Sequence, residues 1–303
     1  MTPTARVTAQ AKVNLLLRVL AREVSGYHTI ETIFLRLDLG DDVRVRVDAG
    51  RTLDCAGPAM PSGGLGPVEQ NLAYRAAATY ADATGWPNGF AIEIEKKIPV
   101  GGGLGGGSAD AGAVLRALDA LAPNPLGARL VELAAPLGAD VPFMTLQSPM
   151  ALAWGRGERM LVAPPLAAQP VLLAIPDFGV AASDAYSWLS ADRPEHSPAT
   201  RILRPESLAS WASLAALAEN DLEAAVGRRH GLIAELVDEI RAGGALIAMM
   251  SGSGSTVFGV FSAHGAFGAR AAAPKVAEIP PRAGVTTILT STSERVVRVE
   301  LEQ

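Results

Sequence analysis

The chain is poor in cysteine, in aromatic side chains and in positive charge. Cys55 is the single cysteine among 303 residues. One thiol can build neither an internal disulfide nor a cysteine-cluster metal site, and it fits a reducing, cytoplasmic setting. Phe, Trp and Tyr together make 5% of the chain, too few for a row of base-stacking platforms. Lys and Arg number 26 against 31 Asp and Glu, a formal net charge of -5. An acidic chain lacks the broad basic face that duplex DNA or an anionic bilayer requires, so neither nucleic acid nor membrane is an expected partner. The histidines (His28, His196, His230, His264) lie far apart and show no metal-ligand spacing.

Other signals are missing too. The opening residues MTPTARVTAQAKVN carry no apolar stretch of the kind a signal peptide needs. There is no internal repeat and no long low-complexity linker. From Ala242 to Ala269 no residue is charged, but Ser251-Gly252-Ser253-Gly254-Ser255-Thr256 sits at its middle. A membrane-spanning helix would carry apolar side chains there, so the segment reads as strand, glycine turn, strand.

What is present is a globular composition, 49% hydrophobic and 19% charged. Val7–Val19 reads as a strand that places Lys12 and Asn14 on one face. An apolar stretch at Ile33–Leu39 precedes Val43, Val45 and Val47, which alternate with Arg44 and Arg46 as in an antiparallel strand. Ala56–Gly66 reads as a loop. Asn71–Thr84 reads as a helix with Leu72, Ala76, Tyr80 and Ala83 on one side. Phe90, Ile92 and Ile94 mark another strand, and helices follow after Ser108 and at Ala128–Ala135. In the second half, Met150–Trp154, Val171–Ile175, Val257–Phe261 and Val296–Leu301 read as strands. Helices are expected at Ser183–Leu189, Glu206–Leu217 and Leu232–Arg241. Strands and helices mix without strict alternation. The expectation is an α+β chain of two domains, 1–150 and 151–303, meeting near residue 150.

Six of the seven residues from Gly101 to Gly107 are glycine, between a strand and a helix. Glycine permits positive φ and close approach of backbone N–H groups to an anion. At a helix start such a loop aims N–H groups and the positive end of the dipole at phosphate. The phosphate-loop pattern GxxxxGK[ST] fails because Ser108 follows Gly107. GxGxxG is met trivially by so many glycines, and Lys96-Lys97-Ile98-Pro99 suits a dinucleotide turn poorly. On its own the run says only that phosphate binds here.

Pro99-Val100-Gly101-Gly102-Gly103-Leu104-Gly105-Gly106-Gly107-Ser108-Ala109-Asp110-Ala111 resembles the nucleotide loop of the GHMP kinases, the galactokinase, homoserine, mevalonate and phosphomevalonate kinase superfamily. Ala11-Lys12-Val13-Asn14-Leu15 is similar to its first motif, and Met250-Ser251-Gly252-Ser253-Gly254-Ser255 to its third. Gly26-Tyr27-His28-Thr29, Glu31-Thr32, Gly138-Ala139-Asp140-Val141-Pro142-Phe143 and Asn220-Asp221-Leu222-Glu223 narrow the resemblance. They point to the branch whose substrate is 4-diphosphocytidyl-2-C-methyl-D-erythritol. Ala109 stands where Ser is common and Gly112 where Ala is common. The tract Ile175–Trp188, expected to wall the pocket, matches loosely.

The resemblance implies an α+β GHMP-kinase-like architecture. A nucleotide domain with mixed or antiparallel sheet would precede a ferredoxin-like α+β domain. It implies transfer of the ATP γ-phosphate to the substrate 2-hydroxyl, with Mg²⁺ as the expected metal, in the methylerythritol route to isoprenoid precursors. Asp140 would take the hydroxyl proton; without the motif it reads as a turn residue near glycine. Lys12 would keep Asp140 ionised and face the γ-phosphate; without the motif it is a solvated strand lysine. Asn14 would orient the alcohol, or bond its own backbone. Tyr27 and His28 would stack on and read cytosine. Ser108 would reach phosphate or metal, cap the helix, or do both. Asn71 and Lys97 would flank the nucleotide base, or serve as a helix cap and a solvated lysine. Pro99 to Ala109 would cradle the nucleotide. The alternatives are a homoserine- or mevalonate-type kinase, for which Gly26-Tyr27-His28 is the discriminator, and a non-catalytic nucleotide-binding module. A dinucleotide oxidoreductase stands further off.

Overall fold

A pair of long antiparallel strands organises the molecule, seen here in a computed structural model that describes residues 3–22, 28–192, 203–263 and 281–302. β1 (Thr4–Arg22) runs against β2 (His28–Asp48) along nearly its whole length. The two apolar stretches around residues 33–39 and 43–47 are therefore one strand. Gly40 joins them where Thr8 and Ala9 press closely enough to exclude a Cβ. The second half of β2 pairs with β4 (Gly89–Glu95), which pairs in parallel with β3 (Arg51–Ala56). The first half of β2 pairs with β5 (Met150–Gly155), and β5 with β6 (Arg159–Val162). β8 (Glu219–Asn220) and β12 (Glu300–Glu302) join β1 and complete an eight-stranded sheet. A second, antiparallel sheet has the order β11 (Val285–Ser291), β7 (Pro170–Pro176), β10 (Val257–Val260), β9 (Ile247–Met250).

Helices cover these sheets. α1 (Leu72–Thr84) packs on α2 (Gly106–Leu121), and α2 lies across β1 and β2. Tyr80, Phe90, Val114, Leu118 and Leu37 are buried in that core. α3 (Leu130–Ala134) and α4 (Val141–Thr145) follow α2. α5 (Ala182–Asp192), α6 (Trp211–Leu217) and α7 (Glu223–Gly227) precede α8 (Gly231–Ala242), which packs on β9 and β10. A second core around Leu172, Leu236, Val237, Ile240 and Phe261 lies there.

The α+β expectation holds. The sheets do not part at residue 150, since β5, β6 and the final strand β12 all belong to the first sheet. Other differences are local. Ala83 is exposed; α1 buries Ala73, Ala76, Ala77, Tyr80 and Ala81 instead. The helix expected at 128–135 is a 3₁₀ turn at Gly127–Arg129 leading into α3. The helix expected at 206–217 breaks before α6, where the Ser210 hydroxyl accepts from the Ser213 N–H and caps a new start. Of the strand expected at 296–301, only the end pairs as β12.

Candidate active site

Two irregularities in the β1–β2 register, between Gln10 and Lys12 and between Asn14 and Leu16, bracket the residues that matter. Such bulges re-aim side chains. The Lys12 ammonium donates to Asn14 Oδ1 at 2.7 Å and to the Gly103 carbonyl at 3.1 Å, and lies 3.3 Å from Asp140 Oδ2. Lys12 is 4% exposed, so it is no solvated strand lysine. Asn14 Nδ2 donates to the Thr32 hydroxyl at 2.8 Å, and Thr32 donates on to the Leu16 carbonyl at 2.6 Å. That chain fixes Asn14 with its carbonyl oxygen toward Lys12. Asp140 precedes α4 at its N-cap position, yet its side chain makes no capping bond and is turned to Lys12.

The glycine run meets this cluster from the other side. Gly101, Gly103 and Gly105 have φ of 79°, 79° and 70°. A Cβ on Gly103 would lie 2.2 Å from the Ser251 carbonyl, so only glycine fits. Ser251 Oγ in turn donates to the Gly103 carbonyl. Gly105 is the N-cap of α2, and the helix begins at Gly106, earlier than expected. Ser108 therefore lies inside the first turn and is not the cap. The Gly106, Gly107 and Ser108 N–H groups belong to the first helical turn, where backbone donors lack intrahelical acceptors. The open N-terminal end of a sixteen-residue helix favours an anion.

Beneath the loop lies a feature not foreseen from sequence. Lys96, 2% exposed, donates to Asp41 and to Asp110 Oδ2. Asp41 Oδ1 accepts the Lys97 and Ile98 N–H groups, at the entry to the loop. Asp110 sits on α2, at the exit. The triad thus clasps both ends of the glycine run. Burial pushes the Asp110 carboxyl up to about 7, against the pull of Lys96. Lys97, the lysine singled out from sequence, points outward to Asp42 and Glu95 and takes no part in the cavity. Strand alternation continued past β4 carries one lysine in and the next out, a distinction that adjacent identical residues hide.

A cavity of about 1400 Å³ opens in front of these groups. Lys12, Asn14, His28, Gly103, Gly105, Ser108 and Asp140 line it. Pro99, Val100, Gly101, Gly102, Leu104, Gly106, Gly107 and Ala109 are not among its lining residues; they shape the loop behind. Asn71 also lies off the cavity and caps α1, its Oδ1 accepting from the Ala73 N–H at 2.9 Å. Tyr27 lies outside the described residues. At the far end, His28 stacks on Tyr186 of α5, ring centroids 4.8 Å apart and 14° from parallel. Burial, and then the Asp140 charge, push the Tyr186 phenol up to about 12. Tyr186 falls in the loosely matching tract, and an aromatic on a weakly apolar helix was its faint signal. Asn220 supports the site from behind, donating to the Met250 and Gly252 carbonyls at 2.8 Å. Glu223 accepts the Met250 N–H. These bonds hold the 251–255 turn against the glycine run.

Residues 71–148 match the family model of the GHMP kinases N terminal domain, and residues 202–278 that of the GHMP kinases C terminal domain. A 4-diphosphocytidyl-2-C-methyl-D-erythritol kinase from Anaeromyxobacter dehalogenans (strain 2CP-1) is 42% identical over 295 residues, 96% of this chain and 91% of that protein. The kinase of the same name from Citrifermentans bemidjiense is 38% identical over 90% of this chain and 94% of its own length. A crystal structure of 4-(cytidine 5'-diphospho)-2C-methyl-D-erythritol kinase superposes with a TM-score of 0.69 at 36% identity, covering 95% of this chain and 99% of that one. A homoserine kinase from Cytophaga hutchinsonii shares the fold at TM-score 0.66 and 18% identity, with 99% of this chain and 97% of that one covered.

Proposed function

The chain belongs to the 4-diphosphocytidyl-2-C-methyl-D-erythritol kinases of the GHMP superfamily, phosphotransferases with an alcohol as acceptor, and from that premise we propose how its residues divide the work. ATP lies with its phosphates on the first turn of α2 and along the glycine run, Asn71 marking the flank on which the nucleoside lies. The 2-hydroxyl of 4-diphosphocytidyl-2-C-methyl-D-erythritol enters between Asn14 and Asp140. The reaction serves the methylerythritol route to isoprenoid precursors. ATP is an intracellular cosubstrate, and a cytoplasmic location goes with it.

Asp140 accepts the hydroxyl proton as the alcohol oxygen attacks the γ-phosphorus. The new O–P bond forms while the bond to the β,γ-bridging oxygen breaks, and ADP leaves with that electron pair. Lys12 holds the Asp140 carboxylate in place at 3.3 Å and faces the charge that builds on the transferring group. Asn14 directs the alcohol, its own amide held by Thr32. His28 offers the donor and acceptor that a cytosine edge requires, and Tyr186 a flat face for the ring. The observation that carries this reading is the 3.3 Å contact of Lys12 with Asp140 beside the open end of α2.

Mg²⁺ fits the donors present. No cluster of three His, Cys, Asp or Glu able to hold a metal occurs among the described residues. A nucleotide-borne Mg²⁺ needs little from the protein, because it keeps waters and phosphate oxygens. The Ser108 hydroxyl, on the cavity wall, is the ligand the protein would add. When bound, the ion neutralises phosphate charge.

The test is ADP release with the cytidyl substrate, mevalonate and homoserine in parallel. Turnover confined to the cytidyl alcohol is expected. Equal turnover on homoserine or mevalonate, or ATP binding without turnover on any alcohol, would refute the assignment.

A further inference from the structure

Lys12 and Arg36 stand directly opposite each other across β1 and β2. Two cations facing on one sheet repel, so each needs compensation close by. Lys12 has Asp140, the residue before α4. Arg36 has the other end of the same helix. Its Nη2 donates to the carbonyls of Phe143 at 2.9 Å, Met144 at 2.9 Å and Leu146 at 3.1 Å, and its Nε to that of Ser148 at 3.2 Å. The guanidinium also lies over the Phe143 ring, 5.0 Å from its centroid, and Phe143 stacks on Phe34, which lines the cavity. Arg36 is 1% exposed.

A helix of five residues has no stability of its own, and its last carbonyls lack partners within it. Its position is set by what holds its ends. Packing supplies part of this: a Cβ on Gly112 would lie 2.6 Å from the Met144 backbone, and Met144 Cε crowds Gly105. These contacts bear on Met144. The guanidinium gathers the carbonyls at the same end of the helix. Burial, with Arg116 adding to it, pushes the Arg36 guanidinium down to about 9. The cation is thus held by carbonyl dipoles at a cost in desolvation.

We propose that Arg36 is a positioning residue for the reaction: it anchors the C-terminal end of α4 so that Asp140, at the N-terminal end, meets Lys12 and the attacking hydroxyl. The opposed pair on β1 and β2 spans the short helix from end to end, roughly 7–8 Å at 1.5 Å per residue. The role rests on Asp140 as the proton acceptor proposed above. It predicts a loss in kcat rather than in nucleotide binding, since misplacement of a reacting group by a fraction of an ångström acts on the chemical step.

The experiment is a double-mutant cycle. Arg36→Lys keeps the charge but loses the fork that reaches several carbonyls; Arg36→Gln keeps an amide donor and removes the buried charge. Each is combined with Asp140→Asn, and kcat and both KM values are measured on protein shown folded by its melting curve. A folded Arg36 variant is expected to lose about 10-fold or more in kcat, with KM for ATP within about twofold. In the Asp140→Asn background the same change should cost almost nothing, because the group it positions is gone. Full multiplicative loss in both backgrounds, unchanged kcat in a folded variant, or failure of both variants to fold would overturn the proposal. Near-normal kcat in Asp140→Asn alone would instead overturn the role of Asp140. The two failures are therefore distinguishable.

Discussion

The Lys12 ammonium touches Asp140 and the Gly103 carbonyl at once, joining the first strand, the glycine run and the start of the short helix α4 at one atom. In the proposed reaction a charge so placed would serve both transfers, since it faces the carboxylate proposed to take the proton and the glycine run proposed to hold the phosphates. The same three elements close in around Gly105, where Met144 Cε and the Lys12 side chain leave no room for a Cβ, so the cluster reports whether the site is assembled.

Asp140→Asn keeps volume and removes charge and basicity. Loss of a general base costs about 10²–10⁴ in rate, and kcat is expected to fall in that range with KM for ATP nearly unchanged. Lys12→Met should be as severe. If both act on one transition state, the double variant is far less impaired than the product of the single losses. Steady-state kinetics with the cytidyl substrate decides it; an Asp140→Asn enzyme turning over at wild-type rate would return Asp140 to a turn residue.

The glycine run can be dissected by geometry. Gly101 and Gly103 share a φ of 79°, but a Cβ on Gly101 meets nothing within 4 Å, whereas on Gly103 it collides with the Ser251 carbonyl. Gly101→Ala should cost only backbone strain, about 1 kcal/mol, and leave ATP affinity within a few-fold. Gly103→Ala must move the loop or the 251–255 turn, and at least a tenfold loss of ATP affinity is expected. Calorimetry on both proteins tests the contrast, and equal affinities would mean that the loop yields freely.

Much of this site was legible in the residues, for physical reasons that also explain the gaps. Gly101–Gly107 could be read because so much glycine before a helix has few uses other than close backbone approach. Lys12 and Asn14 could be paired because two-residue spacing survives in a strand, and the flanking bulges preserved their common face. Lys96 was missed in favour of Lys97 because burial of a lysine depends on carboxylates brought from Asp41 and Asp110, far away in sequence. Arg36 gave no sign, since its partners are main-chain carbonyls, which every residue has. The sheet order could not be read, because β5 returns to pair with β2, a long-range choice that no local pattern encodes.

The end of the cavity proposed to take the base is walled by His28 and Tyr186. If the imidazole reads cytosine, His28→Ala leaves a buried partner unmatched, worth about 1–3 kcal/mol. KM for the cytidyl substrate should rise accordingly while KM for ATP stays within about twofold. Tyr186→Leu removes the stacking face and should act in the same direction. Kinetics varying each substrate separately would expose a purely structural His28 by equal changes in both constants.

The last prediction concerns the buried triad. Asp110 is faced by Lys96 beyond β4, by Asp41 of β2 and by Cys55 of β3. Its Oδ1 has no hydrogen-bond partner among the described residues. Burial holds it at about 7, well above the ordinary range of an aspartate. The folded protein therefore binds this proton more tightly than the unfolded chain. The resulting stability is complete below about pH 4 and is lost as pH rises through about 7. Asp110→Asn removes the titration and keeps the shape. Stability of the wild type minus that of the variant should fall by on the order of a few kcal/mol between pH 4 and 7.5, then level off. Urea unfolding of both proteins across that range measures the difference directly, whatever other groups titrate in common. Parallel stability curves would show that Lys96 keeps Asp110 ionised throughout, and that the clasp on the glycine run is an ion triad at every pH tested.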